Sequence, residues 1–252
     1  MKKILLFCSF AVILYACETK TAQKTEELTT QDKKEVSSPS SNTSQENTQE
    51  RIKGNWVGMF GKNKINIVIT DLLEAGKVKG YSVVSGNDRK FEGTYQINGQ
   101  LYSFDVKEPG DDKYDGHFEF SIDLSGTEST LSGKWTPYDT KMAGKTYTLE
   151  KKIFSYNPEV GYYPNTSNQL LTQADIENYI KSDLRIMRNE IYARHGYSFK
   201  MVDMRTHFDN QPWYIPMTTD IRNKLSEIEV KNVELIKRYE QYAAEYYDEF
   251  GR

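Results

Sequence analysis

Glu190, Arg194 and His195 bring a carboxylate, a guanidinium and an imidazole together in one short stretch of the sequence. Glutamate and histidine are common proton carriers in active sites, so Glu190 and His195 could act as acid–base groups of an enzyme. The stretch also suits binding, because Arg188, Tyr192 and His195 follow at spacings of four and three residues and would share one edge of a helix. Guanidinium groups and aromatic rings bind carboxylates, peptide termini and sugars.

A third interpretation of these side chains is structural. Small domains often use one satisfied polar network to fix their packing, and the cluster could simply join a helix, a loop and a cap by hydrogen bonds. Trp213 and Tyr214 would widen a binding surface if they lay beside the cluster. Burial separates the alternatives: enclosure of Arg194 and His195 would indicate a scaffold, and an open cleft shared with Trp213 would indicate binding.

Other patterns that carry chemistry are missing from the sequence. His117, His195 and His207 do not form a His-x-x-x-His site, and there is no Cys-x-x-Cys pair, nucleophile elbow or phosphate loop. The stretch 110–116 is as acidic as a calcium loop, but Lys113 stands where an EF-hand needs a ligand, which favours a solvated hairpin turn. We therefore assign no catalytic residue, expect no metal and no cofactor, and favour a non-catalytic binding module.

One helix is predicted to carry the cluster. Leu184, Met187 and Ile191 follow the three- and four-residue spacing that places apolar side chains on one helix face. Ser182 is a suitable N-cap for this helix. Gly196 stands just past the last turn, where glycine can adopt the left-handed conformation that ends a helix. The pattern predicts a short helix that stops sharply at the cluster.

The motif extends beyond this helix. Glu-Ile-Tyr-Ala-Arg-His-Gly at residues 190–196 is followed by Phe199, Phe208, Gln-Pro-Trp-Tyr at 211–214 and a late helix over 232–240. This string resembles the YARHG domain, a module of bacterial extracellular proteins, over about residues 170–240. The resemblance implies an envelope or secreted setting, and the family brings with it no established reaction or ligand.

The N-terminus has the layout of an export signal. Two lysines precede an apolar run at 4–13, which is too short to span a bilayer. Leu14-Tyr15-Ala16-Cys17 resembles the lipobox of bacterial lipoproteins, which implies that Cys17 receives a diacylglyceryl group, becomes the first residue and is then acylated on its amine. Each buried methylene of such chains contributes about 0.8 kcal/mol to membrane binding. We predict a signal peptide at 1–16 and a membrane anchor at Cys17.

Residues 17–50 are rich in Thr, Ser, Gln, Glu and Lys, so they are predicted to form a disordered tether. Glu18 is not the aspartate that retains enterobacterial lipoproteins in the inner membrane, which favours the outer membrane or cell surface and leaves the periplasmic side open. Removal of Lys2 and Lys3 with the signal takes the formal charge from -3 to -5. An acidic, tethered protein argues against nucleic acid as a partner. The guanidinium groups and rings of the motif stretch favour peptidoglycan, a surface glycan or an envelope protein instead.

Between residues 51 and 155 the apolar pattern changes to alternation. Ile65, Ile67 and Ile69 alternate with other residues, and Asn98-Gly99 is a two-residue hairpin signal. About eight such runs and no helical pattern predict a small antiparallel barrel or sandwich.

A second resemblance concerns the opening strand of this β domain. Gly54-Asn55-Trp56 resembles the Gly-x-Trp opening of lipocalin-type and avidin-type barrels, in which a basic residue covers the tryptophan. Lys151 or Lys152 on the last strand would take that position. The β domain either holds a small ligand in a cavity or is filled by its own side chains.

The C-terminal part is predicted to be helical, after a linker at 156–169 in which prolines and asparagines interrupt any periodicity. Ser226 and Glu229 have the spacing of a capping box for the last helix. The aromatic loop 208–216 is expected to fold over the motif helix. The chain is thus predicted to be an α+β multidomain protein, with a small antiparallel barrel or sandwich followed by a small all-α domain at 170–248.

Overall fold

The computed structural model describes residues 48–110 and 112–246, with side chains described as far as residue 243. The predicted signal peptide, Cys17 and most of the predicted tether lie outside the described residues. Within the described ranges, no helix combines the length and the apolar character needed to cross a membrane.

Eight antiparallel strands close into a barrel, in which each strand pairs with the next and the last pairs with the first. Closure leaves no unpaired sheet edge. The predicted strand count is confirmed, and of the two architectures that the pattern allowed, the chain forms the barrel. The strands are β1 (Gly54–Phe60), β2 (Asn63–Leu73), β3 (Lys77–Val84), β4 (Asn87–Asn98), β5 (Leu101–Lys107), β6 (Gly116–Asp123), β7 (Thr130–Pro137) and β8 (Lys145–Lys152).

The helical part follows the barrel along the chain, as predicted. Its helices are α1 (Asn165–Asn168), α2 (Lys181–Arg194), α3 (Val202–Phe208) and α4 (Glu227–Tyr246). Short 3-10 turns occur at Glu74–Gly76 and Gln173–Asp175, and residues 48–52 form a helical turn before β1. Together these elements give the α+β arrangement that the sequence indicates.

Apolar side chains from alternate positions of the strands fill the barrel interior. One end is closed by Ile52 and Trp56, and the Trp56 indole donates a hydrogen bond to the Ile52 carbonyl at 2.8 Å. The Lys151 amine lies 5.9 Å from the centre of the Trp56 ring, within cation–π range, so Lys151 covers this tryptophan. The protein's own side chains therefore close this end of the barrel.

The outer face of β1 and β2 is buried as well as the inner face. Val57, Asn66 and Val68 occupy outward positions, between the residues that point into the barrel, yet each is less than 9% exposed. The Asn66 amide donates to the carbonyl of Pro216, which belongs to the helical part, at 3.0 Å. A strand that looks half-exposed by its alternation is thus covered on both sides.

The helical part packs on the barrel through loop 209–219 and the turn after α2. The Lys64 amide donates to the Asp209 carboxylate at 2.9 Å, and the Lys64 amine donates to two loop carbonyls at 2.7 and 3.1 Å. The Gly86 amide of the β3–β4 hairpin donates to the Ser198 hydroxyl at 2.9 Å. Burial raises the pKa of Asp209 and lowers the pKa of Lys64. Groups of both parts are therefore removed from water where they meet.

The helical part has two small apolar clusters. In the first, Leu184, Met187 and Ile191 of α2 are buried with Val233 and Ile236 of α4, as the spacing in the sequence predicts. These residues form the contact between the two longest helices.

The second cluster is aromatic and contains the loop after α3. Tyr214 is buried, with its ring centre 6.1 Å from that of Phe199 and 6.0 Å from that of Phe208. Ala193 of α2 belongs to the same cluster. The prediction that the aromatic loop folds over the motif helix is confirmed.

The start of α2 differs from the prediction. The helix begins at Lys181, with Ile180 as its extended N-cap residue, and no side chain caps it. The Ile180 carbonyl accepts hydrogen bonds from the amides of Asp183 and Leu184, both at 3.1 Å. Ser182 already lies in the first turn, so the assignment of Ser182 as N-cap was wrong.

The stretch 156–169, predicted as a linker, is packed against the helices. It contains α1, and the hydroxyls of Tyr156 and Ser167 donate to the Glu229 carboxylate at 3.1 and 2.8 Å. The prolines and asparagines of this stretch suggested a linker. In the structure they lie in turns and in α1, and polar groups of the stretch bond to the helices. The domain boundaries on either side of this stretch stay predictions.

Candidate functional site

The cluster lies at the end of α2, where the chain turns sharply. The helix ends at Arg194, and Gly196 follows with a left-handed φ of 75°. A methyl group at Gly196 would come within 2.7 Å of the Met217 side chain, so the backbone angle and the close packing both require glycine. The predicted glycine stop is confirmed. It places the cluster against the stretch 156–169 and the start of α4.

Arg194 lies inside the helical part, and each of its three side-chain nitrogens is hydrogen-bonded. Its Nε donates to the Val160 carbonyl at 2.8 Å, and its Nη1 donates to the hydroxyls of Thr166 and Ser167 at 2.8 and 2.9 Å. Its Nη2 forms an ion pair with Glu190, one helical turn earlier. Burial lowers the pKa of Arg194, and the adjacent Glu190 carboxylate opposes this effect. The guanidinium therefore joins α2 to the stretch before it.

Glu190 is fully buried. Besides its ion pair with Arg194, it binds backbone amides that lie outside regular structure. Its carboxylate accepts hydrogen bonds from the amides of Tyr162 and Tyr163 at 2.9 and 2.8 Å. A methyl group at Gly161 would come within 2.4 Å of this carboxylate, and Gly161 has a φ of 99°, so only glycine lets the chain pass this closely. These two amides have no hydrogen-bond partner in a helix or sheet, and the carboxylate supplies one to each.

His195 forms the second half of the network with Glu229. Its Nε2 lies 2.8 Å from the Glu229 carboxylate, and its ring stacks on Tyr156 with 4.5 Å between ring centres. The Ser226 amide also donates to Glu229 at 2.9 Å, which confirms the predicted capping box. Burial would raise the pKa of Glu229, but the hydrogen bonds from His195, Ser226 and Ser167 outweigh it and lower the pKa.

The network has the geometry of a scaffold. Glu190 is 0%, Arg194 2% and His195 7% exposed, and each is bonded to another part of the helical region. Acid–base catalysis needs a proton acceptor that a substrate can reach, and the buried pair Glu190 and His195 offers none in this arrangement. By the burial criterion, Arg194 and His195 hold the domain together, and the geometry does not support a catalytic role.

The other edge of α2 borders an open groove of about 570 Å³. Half of the side chains that line this motif groove are basic or aromatic, among them Arg188, Tyr192, Tyr197, Phe199, Lys200 and Arg222, and the acidic Asp220 lines it as well. Arg188 is held in place by a two-bond ion pair with Glu240 of α4, at 2.8 and 3.1 Å, and its guanidinium lies 5.9 Å from the centre of the Tyr192 ring. The groove therefore presents fixed planar groups at its centre.

The basic groups of the motif groove differ in how strongly they are paired. Arg185 forms an ion pair with Asp203 at 2.7 Å, and Arg222 forms one with Asp220 while 86% of its side chain stays exposed. Lys200 is exposed, and its amine has no ion-pair or hydrogen-bond partner among the described residues. Lys200 and Arg222 are thus the groove cations that a ligand could reach with least rearrangement.

The six residues predicted as a binding set divide into three groups. Arg188 and Tyr192 line the motif groove. Arg194, His195 and Tyr214 are interior, and the Tyr214 hydroxyl donates to the Tyr197 carbonyl at 2.7 Å. Trp213 is half-buried against Phe208, with 6.3 Å between ring centres, and does not line the groove. Helical spacing identified the groove residues but did not separate them from the interior ones.

Asn232 is a network residue that the sequence did not reveal. It is fully buried, its side-chain oxygen accepts from the Leu171 amide at 2.9 Å, and its amide donates to the Thr166 and Gln169 carbonyls at 2.8 Å each. The only signal in the sequence was a polar residue on the apolar face of the last helix, beside Val233 and Ile236. Asn232 thus anchors the stretch before α2 to α4.

No group of three or more His, Cys, Asp or Glu side chains in the described ranges could hold a metal ion. No curated protein and no solved structure matches the chain. Among protein families, the YARHG domain matches residues 161–241. The match begins at Gly161, which packs on Glu190, and extends past Glu240, which binds Arg188. Residues 161–241 of this chain, which contain the motif groove and most of the buried network, form a YARHG domain.

Proposed function

We propose that this protein is an exported, lipid-anchored protein of the cell envelope, and that its YARHG domain binds an acidic component of the cell wall or surface. The N-terminal signal pattern and the lipobox-like Leu14-Tyr15-Ala16-Cys17 support export and anchoring. The extracellular setting that the family implies agrees with both. The domain acts by contact, without catalysis.

The observation that carries this proposal is the composition of the motif groove. Four cationic side chains, Arg185, Arg188, Lys200 and Arg222, line one groove together with aromatic rings. Guanidinium groups bind carboxylates in a planar, two-bond geometry, and tyrosine rings stack on sugars and peptide bonds. Peptidoglycan carries peptide carboxylates next to sugars, so it is the first candidate ligand, ahead of an acidic surface glycan or an envelope protein.

Co-sedimentation of the full mature chain with isolated cell-wall sacculi tests the proposal. We expect the double variant Lys200→Glu/Arg222→Glu to bind about tenfold more weakly, because two exposed cations near a carboxylate become repulsive. Lys237→Glu, on an exposed part of α4 outside the groove, is the matched control and should bind normally. Equal binding by all three proteins, or equal loss in both variants, would refute groove recognition. Analysis of the sacculi for released fragments separates binding from turnover.

The anchor is tested separately. Mass spectrometry of the native N-terminal peptide should find an acylated Cys17 as the first residue, and Cys17→Ala should move the protein from the membrane fraction to the soluble fraction. An unmodified chain that begins at Met1 would remove the basis for the envelope setting.

A further inference from the structure

The end of the barrel opposite Trp56 holds a cavity of about 370 Å³. This barrel-mouth cavity lies among the hairpins β1–β2, β3–β4 and β7–β8 and the loop between β5 and β6. Its volume falls within the range of roughly 300–1,000 Å³ that is typical of small-molecule sites. The barrel is therefore closed at one end and hollow at the other.

Three aromatic side chains of the strands form part of the cavity wall. Phe60, Phe118 and Trp135 line the cavity, and Phe60 and Trp135 pack edge to face with 5.6 Å between ring centres. The rings belong to β1, β6 and β7, so the closed sheet fixes their positions on three sides. Such walls favour a ligand with a planar or apolar body.

The charges at the cavity are mostly positive. Four charged residues line it, of which Arg89, Lys145 and Arg205 are basic and Glu108 is acidic. Arg89 is already paired with Asp115 at 2.6 Å, whereas Lys145 and Arg205 form no ion pair within the described residues. The Lys145 amine lies 4.2 Å from the centre of the Phe60 ring, and burial lowers the pKa of Lys145. Two cations thus line the cavity without an ion-pair partner among the described residues.

Arg205 comes from α3 of the YARHG domain, so the cavity is built by both parts of the chain. Its Nη1 donates to the Lys200 carbonyl at 2.5 Å, while its Nε is buried without a hydrogen-bond partner in the described ranges. A buried donor without a partner is rare in folded proteins. An acceptor supplied by a ligand would satisfy it.

A second unsatisfied group lies in the adjacent barrel interior. The Tyr147 hydroxyl is buried and has no hydrogen-bond partner among the described residues. The Tyr147 ring contacts Phe60 and Phe118, both of which line the cavity, with 5.6 and 6.1 Å between ring centres. The polar groups of this end of the barrel are therefore incompletely satisfied at two independent positions.

We propose that the barrel-mouth cavity binds a small amphipathic anion, with its apolar body against Phe60 and Trp135 and its carboxylate, sulfonate or phosphate between Lys145 and Arg205. The site is composite, because the barrel supplies the walls and one cation and the YARHG domain supplies the other. It is separate from the motif groove, and the proposals for the two sites do not rest on each other.

Fluorescence titration of the full mature chain tests this site with anilinonaphthalene sulfonate, an aromatic anion, and with phenylnaphthylamine, its uncharged analogue. We expect the sulfonate to bind more tightly than the amine. Lys145→Met and Arg205→Met should each weaken sulfonate binding about tenfold, the effect of losing one charged contact, and leave amine binding unchanged. Lys145→Arg keeps the charge and should preserve binding, which also shows that the position tolerates replacement.

Two control variants locate the probe. Lys134→Met removes a lysine on the outer face of β7, where it pairs with Glu119, and should bind the sulfonate normally. Arg222→Met tests the motif groove. Equal affinity for both probes, binding within twofold of wild type in Lys145→Met and Arg205→Met, or a loss confined to Arg222→Met would overturn the proposal. Loss of sacculus binding in Lys200→Glu/Arg222→Glu with normal probe binding would leave it intact.

Discussion

The barrel and the YARHG domain provide hydrogen-bond partners for their buried backbone groups in different ways. In the barrel, every strand has a neighbour on each side, so the backbone groups are paired by closure and the interior can be almost entirely apolar. In the helical part, residues 156–180 run largely outside regular structure, and buried side chains bond to their backbone groups. Glu190, Arg194 and Asn232 bond to six backbone groups of this stretch.

Buried carboxylates show the same contrast. Glu190 and Glu229 each have a basic partner, in Arg194 and His195. Glu108 of the barrel is 4% exposed and forms no ion pair among the described residues, although it accepts hydrogen bonds from Ser82, Gly116 and Trp135. The barrel thus tolerates one unpaired acid at its mouth, whereas each of the two buried glutamates of the YARHG domain has a basic partner.

The largest expected effect comes from breaking the buried ion pair. Arg194→Met should lower the free energy of unfolding of the YARHG domain by about 3–5 kcal/mol, because the Glu190 carboxylate would stay buried without a cation. Urea unfolding followed by far-ultraviolet circular dichroism measures the change. Arg238→Met, at an exposed position of α4, is the control and should change stability by less than about 0.5 kcal/mol.

The double variant Glu190→Gln/Arg194→Met sharpens this test. If the two groups act as a pair, the double variant should lose less stability than the sum of the single variants. Additive losses would show that the network does not act as a unit.

Glu108 should make the barrel less stable as pH rises. Burial raises its pKa from 4.5 to about 7, so between these values the folded barrel keeps a proton that the unfolded chain has released. The stabilising contribution of Glu108 is fully present below pH 4.5. It is lost as pH rises through about 7, and the total loss is about 3 kcal/mol.

The isosteric variant Glu108→Gln isolates this effect. Its carbonyl can accept from Gly116 and Trp135 while its amide donates to the Ser82 hydroxyl. The variant should match wild type near pH 4 and exceed it by about 3 kcal/mol near pH 8 in denaturant unfolding. Parallel pH profiles of the two proteins would contradict the raised pKa.

Asn232→Leu compares the two interiors directly. The variant removes partners of the Leu171 amide and of the Thr166 and Gln169 carbonyls, which should lower stability by about 2 kcal/mol despite the similar size of leucine. Ile122→Val, at a fully buried barrel position, should lower it by only about 1 kcal/mol. Thermal unfolding of both variants is the measurement, and a milder effect at Asn232 would undermine the contrast drawn between the interiors.

The smallest expected effect concerns the contact between barrel and YARHG domain. Lys64→Met removes hydrogen bonds to the Gln211 and Tyr214 carbonyls and should weaken this contact by about 1 kcal/mol. Hydrogen exchange of loop 209–219, read by mass spectrometry, should speed up in this variant. Lys62→Met, in the exposed turn between β1 and β2, should leave exchange unchanged.

Local rules predicted the elements of both regions. Alternation and turn residues indicated the eight strands, and glycine and capping patterns located the end of α2 and the start of α4, because these signals act between residues close in sequence. The assignment of Ser182 as a cap failed, since the helix begins at Lys181 and the Ile180 carbonyl accepts its first hydrogen bonds.

Long-range partners were not predictable in the same way. Glu229 was identified only as half of a capping box, whereas it also binds His195, Tyr156 and Ser167, which lie 34, 73 and 62 residues away. The spacing of Arg194 indicated a functional group but not whether it would face solvent or the interior. Buried and exposed arginines follow the same helical spacing, so the spacing alone does not distinguish them.

The burial of Val57, Asn66 and Val68 on the outside of β1 and β2 has a practical consequence for anyone who dissects this protein. A barrel produced without the YARHG domain would expose both valines to solvent, and the Asn66 amide would lose the Pro216 carbonyl as its partner. Such a fragment should self-associate at concentrations where the intact chain stays monodisperse. Fragments of this protein would therefore misreport its behaviour, and its two globular parts are best handled as one piece.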